Sequence, residues 1–400
     1  MTTPVPVFSS QMDKMKVEVI RTLEELQSIR QCWESLNSHP NSDIDFYSGV
    51  VKSGQQTCRP HVLVLRRGEY PEAILVGRAE RTHIESKLGY KVLWRTPARQ
   101  LTFIYGGQLG NISRQNCELI FKEILNCLRS GEADVAELHF IRADSALCDL
   151  ALREAPLLCR DYIPCVQLHR STTVPRSQEE FNNRWSAKVR RNQRWRKMAN
   201  DFPGQIEIKC FRELHELDQM LVDAEIIATK TYQRALGTGF MADEVMKRRF
   251  RLEAEKGWLR AYLLYLQGKP AAFWICSLRD HTLYSGFMGY DPEFSKYSAG
   301  MFLVMHQIEA FSNPNHGEPI FRIDWGLGDA EYKSILGDCE WSEVSVVIFA
   351  PTIRGFALNA LRTPLAVLDA GAKAALANSP ILQRIKTAWR RKLRTEVVAH

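Results

Sequence analysis

The sequence contains no C-x-x-C pair, no H-E-x-x-H, no phosphate-loop lysine motif and no G-x-S-x-G elbow. These absences argue against a structural zinc ribbon, a zinc protease, a P-loop nucleotidase and an α/β-hydrolase. No window of about 18 apolar residues is free of charge, so no membrane-spanning helix is expected. The first 15 residues have no charged stretch followed by an apolar one, so no signal peptide is expected either. The ten cysteines are scattered and mostly lie in apolar runs, as small hydrophobes do. A reduced, cytoplasmic protein without metal is the expectation.

The chain does have the material for a core: 400 residues, 45% hydrophobic and 25% charged, which suggests two or three domains. Its net charge of +7 is unevenly spread. Residues 351–400 hold nine Lys/Arg against two acids, while the remaining 350 hold 44 of each sign. The basic character therefore belongs to a tail.

The most informative stretch is 322–333, RIDWGLGDAEYK. Ile320, Phe321 and Ile323 read as a buried strand that ends at Asp324. Gly326 and Gly328 turn the chain, and Asp329 is placed to cap a helix carrying Tyr332 and Lys333. A carboxylate, a phenol and an amine thus gather at the carboxyl end of one strand, where open α/β sheets usually build their sites. The plainer alternative is a well-capped β–α turn.

The chain also repeats itself weakly at an offset of roughly 185–200 residues. VEV at 17–19 before LEEL at 23–26 is echoed by IEI at 206–208 before FREL at 211–214. The segments 61–76 and 260–275 each read as strand, Gly-containing turn and strand, a hairpin pattern. The second copy is clearer. It predicts a strand at 205–211, helices at 213–232 and 243–256, and a meander at 258–266, 270–278 and 282–290. A helix at 300–311, a strand at 321–324, a short helix at 329–336 and a final strand at 343–349 follow.

That order is the GNAT acyltransferase fold, and the residues resemble a family. GWLRAYLLYLQGKPAAFW at 257–274, GYDPEF at 289–294, YSAG at 297–300 and IDWGLGDAEYK at 323–333 resemble the CelD-type GNAT proteins associated with cellulose biosynthesis. These are tandem-domain relatives of the Fem peptidoglycan aminoacyltransferases. The resemblance is strong from about 186 to 354 and only topological before that. It implies an α/β (α+β) fold of two tandem GNAT-like domains with mixed, mainly antiparallel sheets: a degenerate one at 1–170 that walls the cleft, and the acyltransferase domain at 171–350. A basic helical tail at 351–400 completes the chain.

GNAT enzymes bind the acyl-CoA pyrophosphate on backbone N–H groups at a helix N-terminus, where the helix dipole and free donors favour an anion. The matching residues here are Lys296, Ser298, Ala299, Gly300 and Met301. The usual signature has more glycine; only Gly300 is present, so the sequence leaves open whether Ser298 is simply a helix cap. The superfamily pattern implies Tyr332 as the acid that protonates the leaving thiolate, with Asp324 as base or acceptor anchor and Lys333 at the oxyanion or a phosphate. Asp324 could instead bind turn N–H groups, and Lys333 could snorkel. Trp274, Tyr284 and Phe287 alternate on the meander and could line an acceptor cleft or fill the core. Tyr232 and Arg234 follow the first helix, in the segment that walls acceptor sites in this fold.

Two basic segments remain. The cluster at 184–197 carries seven positive charges and two tryptophans; it reads as a linker helix with a solvated face, Trp185, Val189 and Trp195 pointing inward, or as a site for an anionic acceptor such as a lipid- or nucleotide-linked sugar. In the tail, Ile381, Leu382, Ile385, Trp389 and Leu393 share a helical face opposite six basic residues. That fits peripheral contact with the inner face of a membrane, or a packed helix with a basic end. The resemblance thus implies transfer of an acetyl or other acyl group from acyl-CoA to an amine or hydroxyl of a sugar, polysaccharide precursor or lipid-linked acceptor. The alternatives are a Fem-like enzyme using aminoacyl-tRNA, the one reading that involves nucleic acid, a non-catalytic component of exopolysaccharide biosynthesis, and a simple membrane-surface scaffold resting on the tail.

Overall fold

The structure is a computed structural model. It describes residues 15–377 apart from 38, 55–57, 89–90, 186–191, 232–233 and 235–238. Tyr232, the middle of the basic cluster and the tail beyond 377 therefore lie outside the described residues.

The first half runs β1 (Met15–Ile20), α1 (Leu23–Ser28), α2 (Arg30–Leu36), α3 (Ile44–Ser53), β2 (Cys58–Pro60), β3 (Val62–Arg67), β4 (Tyr70–Leu88), β5 (Lys91–Gly110), α4 (Arg114–Arg129), β6 (Val135–Arg142) and α5 (Ala146–Arg153). The second runs β7 (Cys165–Thr173), α6 (Gln178–Arg184), α7 (Gln193–Asp201), β8 (Ile206–Phe211), α8 (Leu217–Ala228), α9 (Glu244–Glu255), β9 (Leu259–Leu266), β10 (Lys269–Arg279), β11 (Thr282–Tyr290) and α10 (Ala299–Phe311). It continues with β12 (Arg322–Leu327), α11 (Glu331–Leu336), β13 (Cys339–Phe349) and α12 (Ile353–Ala377). Among the described residues these elements form two compact units, 15–166 with 342–373, and 167–341 with 374–377.

In the first unit the strand order is β1-β3-β4-β5-β6-β13, antiparallel except for the parallel pair β5–β6. Successive side chains of a strand point to opposite faces, and here both faces are covered. Leu63, Leu65, Ala73 and Leu75 pack with α4 and α5, whereas Val62, Val64, Ile74 and Val76 pack with α1, α2 and α3. That double burial is why 62–65 reads as an unbroken apolar run.

The second unit repeats the design with the order β7-β12-β11-β10-β9-β8 and one parallel pair, β11–β12. Leu263, Tyr265, Phe273 and Ile275 meet α8 and α9 on one face. Tyr262, Leu264, Trp274 and Cys276 meet α7 and α10 on the other. Each unit thus runs strand, helices, meander, helix, parallel strand and short helix, which is the repeat read in the sequence.

The expected final strand of the second domain is placed differently. Residues 343–349 pair antiparallel with β6 in the first unit. The edge beside β12 is instead taken by β7, from His169 opposite Leu327 to Thr173 opposite Arg322. Both strands are short and carry apolar residues, so their local pattern does not select a partner. Among the described residues no helix is long and apolar enough to cross a membrane.

Candidate functional site

The second unit's site begins where its parallel ladder stops. β11 and β12 pair only from Thr282 opposite Arg322 to Tyr284 opposite Asp324. β11 then continues to Tyr290 against β10, and β12 continues to Leu327 against β7. The two strands therefore part beyond Tyr284 and Asp324. Their facing backbone groups between 285 and 290 and between 325 and 327 are left without a ladder to each other. Because β7 extends the pairing, residues 325–327 are strand, not the turn expected from the glycines, with a bulge between Asp324 and Gly326. Gly326 sits at φ +66°, a conformation that disfavours a side chain.

Asp324 is held from behind. Its Oδ1 accepts from the Gly326 N–H at 2.8 Å and from His169 Nε2 at 2.8 Å. His169, on β7, is buried and stacks on Trp341 with ring centroids 4.2 Å apart. Both contacts converge on Oδ1 of a carboxylate that is only 14% exposed. Neighbouring Tyr284 has its phenol pushed up to about 12, by burial first and by the Asp324 charge next.

Lys333 is buried, and its Nζ donates to the carbonyls of Leu327 at 2.6 Å and Gly326 at 3.2 Å. Burial lowers its pKa to about 8, partly opposed by Asp324. Its ammonium therefore braces the end of β12 and does not snorkel. Tyr332 is half-buried, its ring edge-on to Trp325 at 6.0 Å. Asp329 does not cap α11, which starts at Glu331 with Ala330 at its N-cap and no side-chain cap bond. Asp329 reaches Arg170 at 3.4 Å instead.

The expected phosphate loop opens α10. Ser298 has φ +55° and makes no side-chain cap bond. The helix's first internal bond runs from Phe302 N–H to Ser298 C=O, so the N–H groups of Ala299, Gly300 and Met301 precede the helical ladder. Ser298 Oγ accepts from Arg194 at 3.0 Å. A Cβ on Gly300 would meet nothing nearer than Tyr290 at 3.5 Å, ordinary contact, so the fold itself does not demand glycine there. Lys296 is exposed and lies over the Tyr297 ring at 4.7 Å.

Arg194 reaches this point because α7 is amphipathic. Met198 is buried, and Trp195 meets Phe302 at 5.7 Å. Just beyond the helix, Phe202 meets Tyr297 at 5.5 Å, and the Tyr297 hydroxyl donates to Asp201 at 2.6 Å. The inward tryptophans of the basic cluster are as expected, Trp185 being buried too. Its face is not simply solvated, because one guanidinium is delivered to the α10 N-terminus.

Other expected site residues serve the fold. Trp274 is fully buried, stacks on Trp325 at 5.5 Å and donates to Ser285 Oγ at 3.0 Å, so it is core and not an acceptor wall. Phe287 packs with Phe240 and Phe250. Arg234 is committed to Glu225 at 2.8 Å and to the Phe240 carbonyl at 2.7 Å, pinning the segment after α8. In the first unit His61, Cys127 and Glu132 bring possible metal-ligand atoms within 4.8 Å of one another. Glu132 is already held by Arg21 at 3.0 Å and Arg59 at 2.6 Å, and burial with nearby carboxylates pushes the Cys127 thiol up to about 12. A cation there would have to displace two guanidiniums.

Sequence reading missed His169 and Arg194. The first sits in CVQLHR with no motif around it, and the second is one of several like charges.

Residues 186–334 match the family model described as an acetyltransferase (GNAT) domain, somewhat over a third of the chain. No curated protein matches the sequence. Among solved structures, FemX is similar over 82% of this chain and 96% of its own, at 9% identity and a TM-score of 0.50. The C-terminal domain of a putative lysylphosphatidylglycerol synthetase from Agrobacterium fabrum covers 88% of this chain and 97% of its own, at 10% identity and a TM-score of 0.48. A tandem GNAT protein from the clavulanic acid biosynthesis pathway covers 85% and 99%, at 11% identity and a TM-score of 0.44.

Proposed function

We infer that the second unit, whose residues 186–334 match a GNAT acetyltransferase domain, works as one on its GNAT-like α/β fold. We propose that this unit transfers an acyl group from acyl-CoA to an amine or hydroxyl acceptor by direct attack in a ternary complex. The parting of β11 and β12 at Tyr284 and Asp324, beside a helix N-terminus faced by Arg194, carries this reading. A split between parallel strands offers backbone donors and acceptors to an amide-bearing chain such as pantetheine. The α10 N–H groups, Arg194 and the space at Gly300 suit a pyrophosphate at its end.

Asp324 Oδ2 takes the proton from the attacking amine or hydroxyl. The new bond forms at the thioester carbonyl carbon, the C–S bond breaks, and Tyr332 gives its proton to the departing thiolate. His169 and the Gly326 N–H keep the carboxylate aimed, and Lys333 keeps the β12 end in place. A glycan or lipid-linked acceptor, as in exopolysaccharide assembly, rests on the resemblance of the motifs.

Isothermal titration with acetyl-CoA and longer acyl-CoAs tests the reading. Binding is expected, and Arg194→Gln should weaken it about tenfold, roughly 1.4 kcal/mol. Absence of binding at millimolar acyl-CoA would sink it. Retention of an aminoacyl-tRNA in that case would transfer the site to the Fem-like alternative.

A further inference from the structure

The outward side of α12 is apolar where a surface helix would ordinarily be polar. Its rotation is fixed by inward contacts within the first unit. Leu358 and Asn359 are buried, the Asn359 amide donates to the Leu158 carbonyl at 2.8 Å, and Arg362 pairs with buried Asp161 at 2.7 Å. Between 357 and 372 every exposed residue of the helix is apolar. Leu361, Val367 and Leu368 are 45%, 48% and 61% exposed, and the others are Ala, Pro or Gly. The loop bonded to Asn359 adds Leu157 at 66%, Leu158 at 65% and Tyr162 at 49%. Apolar surface gathered in this way marks an interaction face.

We propose that this face docks the protein on an anionic lipid bilayer, with α12 lying in the interface and the 157–162 loop dipping beside it. The chain that follows favours lipid over a protein partner. Beyond 377 it carries Arg384, Lys386, Arg390, Arg391, Lys392 and Arg394 against the single acid Glu396. An apolar helix side continued by a strongly cationic segment complements the two layers of such a surface, an apolar interior under negative headgroups. Tyr162 supplies an amphipathic ring of the kind that settles at headgroup level. α12 carries Arg354, Arg362 and Asp369 among its described side chains, which suits lying on a bilayer and not crossing it.

Co-flotation of the full chain with phosphatidylcholine vesicles, with and without phosphatidylglycerol, tests this independently of acyl transfer. Flotation is expected only with the anionic vesicles and should weaken as salt rises. Leu361→Asp/Leu368→Asp, and separately Leu157→Asp/Leu158→Asp, should each reduce the bound fraction roughly tenfold while thermal melting stays cooperative. These positions are exposed, so the substitutions do not disturb the core. Flotation undiminished in both variants would overturn the proposal, since the tail alone would then suffice. So would failure of the intact chain to float, including the case where light scattering shows a dimer that Leu368→Asp dissociates.

Discussion

At the end of its parallel ladder the second unit sets Tyr284 beside Asp324; at the corresponding place the first unit sets Phe103 beside Leu138. The helix N-termini that follow differ in the same sense. Arg194 bonds Ser298 at the start of α10. Before α4, Asn111 is tied to Glu72, a carboxylate, and Asn116 folds back on the Asn111 carbonyl. Phe103 and Leu138 are both buried, so the first unit closes with apolar packing the corner that the second leaves polar. One architecture thus serves two ends. Under the proposed function, the difference between the units rests on a few side chains at one strand end and not on the fold.

Substitutions at the two corners should therefore diverge most in turnover. Asp324→Asn keeps an acceptor for the Gly326 N–H but removes the proposed base, and turnover should fall about 10²- to 10⁴-fold in a thiol-release assay. Glu137→Gln, in the first unit's network with Gln100 and Ser345, should leave turnover unchanged. Equal losses would erase the distinction between the units.

A smaller effect should show in stability. Among the described residues Lys333 is the only buried lysine. Its native pKa is lowered to about 8 from 10.5, by burial above all. Between those values the unfolded chain binds more protons than the native one, so this group makes stability rise with pH from about 8 to 10.5. Below pH 8 it costs the native state the full difference, ~3 kcal/mol. Urea unfolding of wild type and Lys333→Met at pH 7.5 and 10 isolates the contribution. The stability gap between the variant and wild type should shift in favour of wild type at the higher pH. A pH-independent gap would mean that Lys333 titrates normally.

In 322–333 the strand through Asp324 and the short helix after it were legible, but the glycine turn and the Asp329 cap were not, because β7 prolongs the strand through Leu327. Legible too were the meanders, whose apolar runs reflect burial on both faces. The exchange of edge strands was not legible. The partners of β7 and of 343–349 are set by contacts more than a hundred residues away, which no local pattern records. His169 escaped notice for that reason, since its role exists only once β7 lies beside β12. The alternation of Trp274 left cleft and core both open, and Arg234 was expected at an acceptor wall only by analogy with its segment in this fold. Their neighbours Ser285, Trp325 and Glu225 satisfy them inside the fold.

On the proposed function, acyl-CoA enters the split of the second unit and not the first. Hydrogen–deuterium exchange of the intact chain with and without saturating acetyl-CoA tests it most directly. Protection should concentrate at 285–301 and 322–330, with none at 104–116. Protection of 104–116, or no change at 285–301, would rule out acyl-CoA binding at the second unit's split.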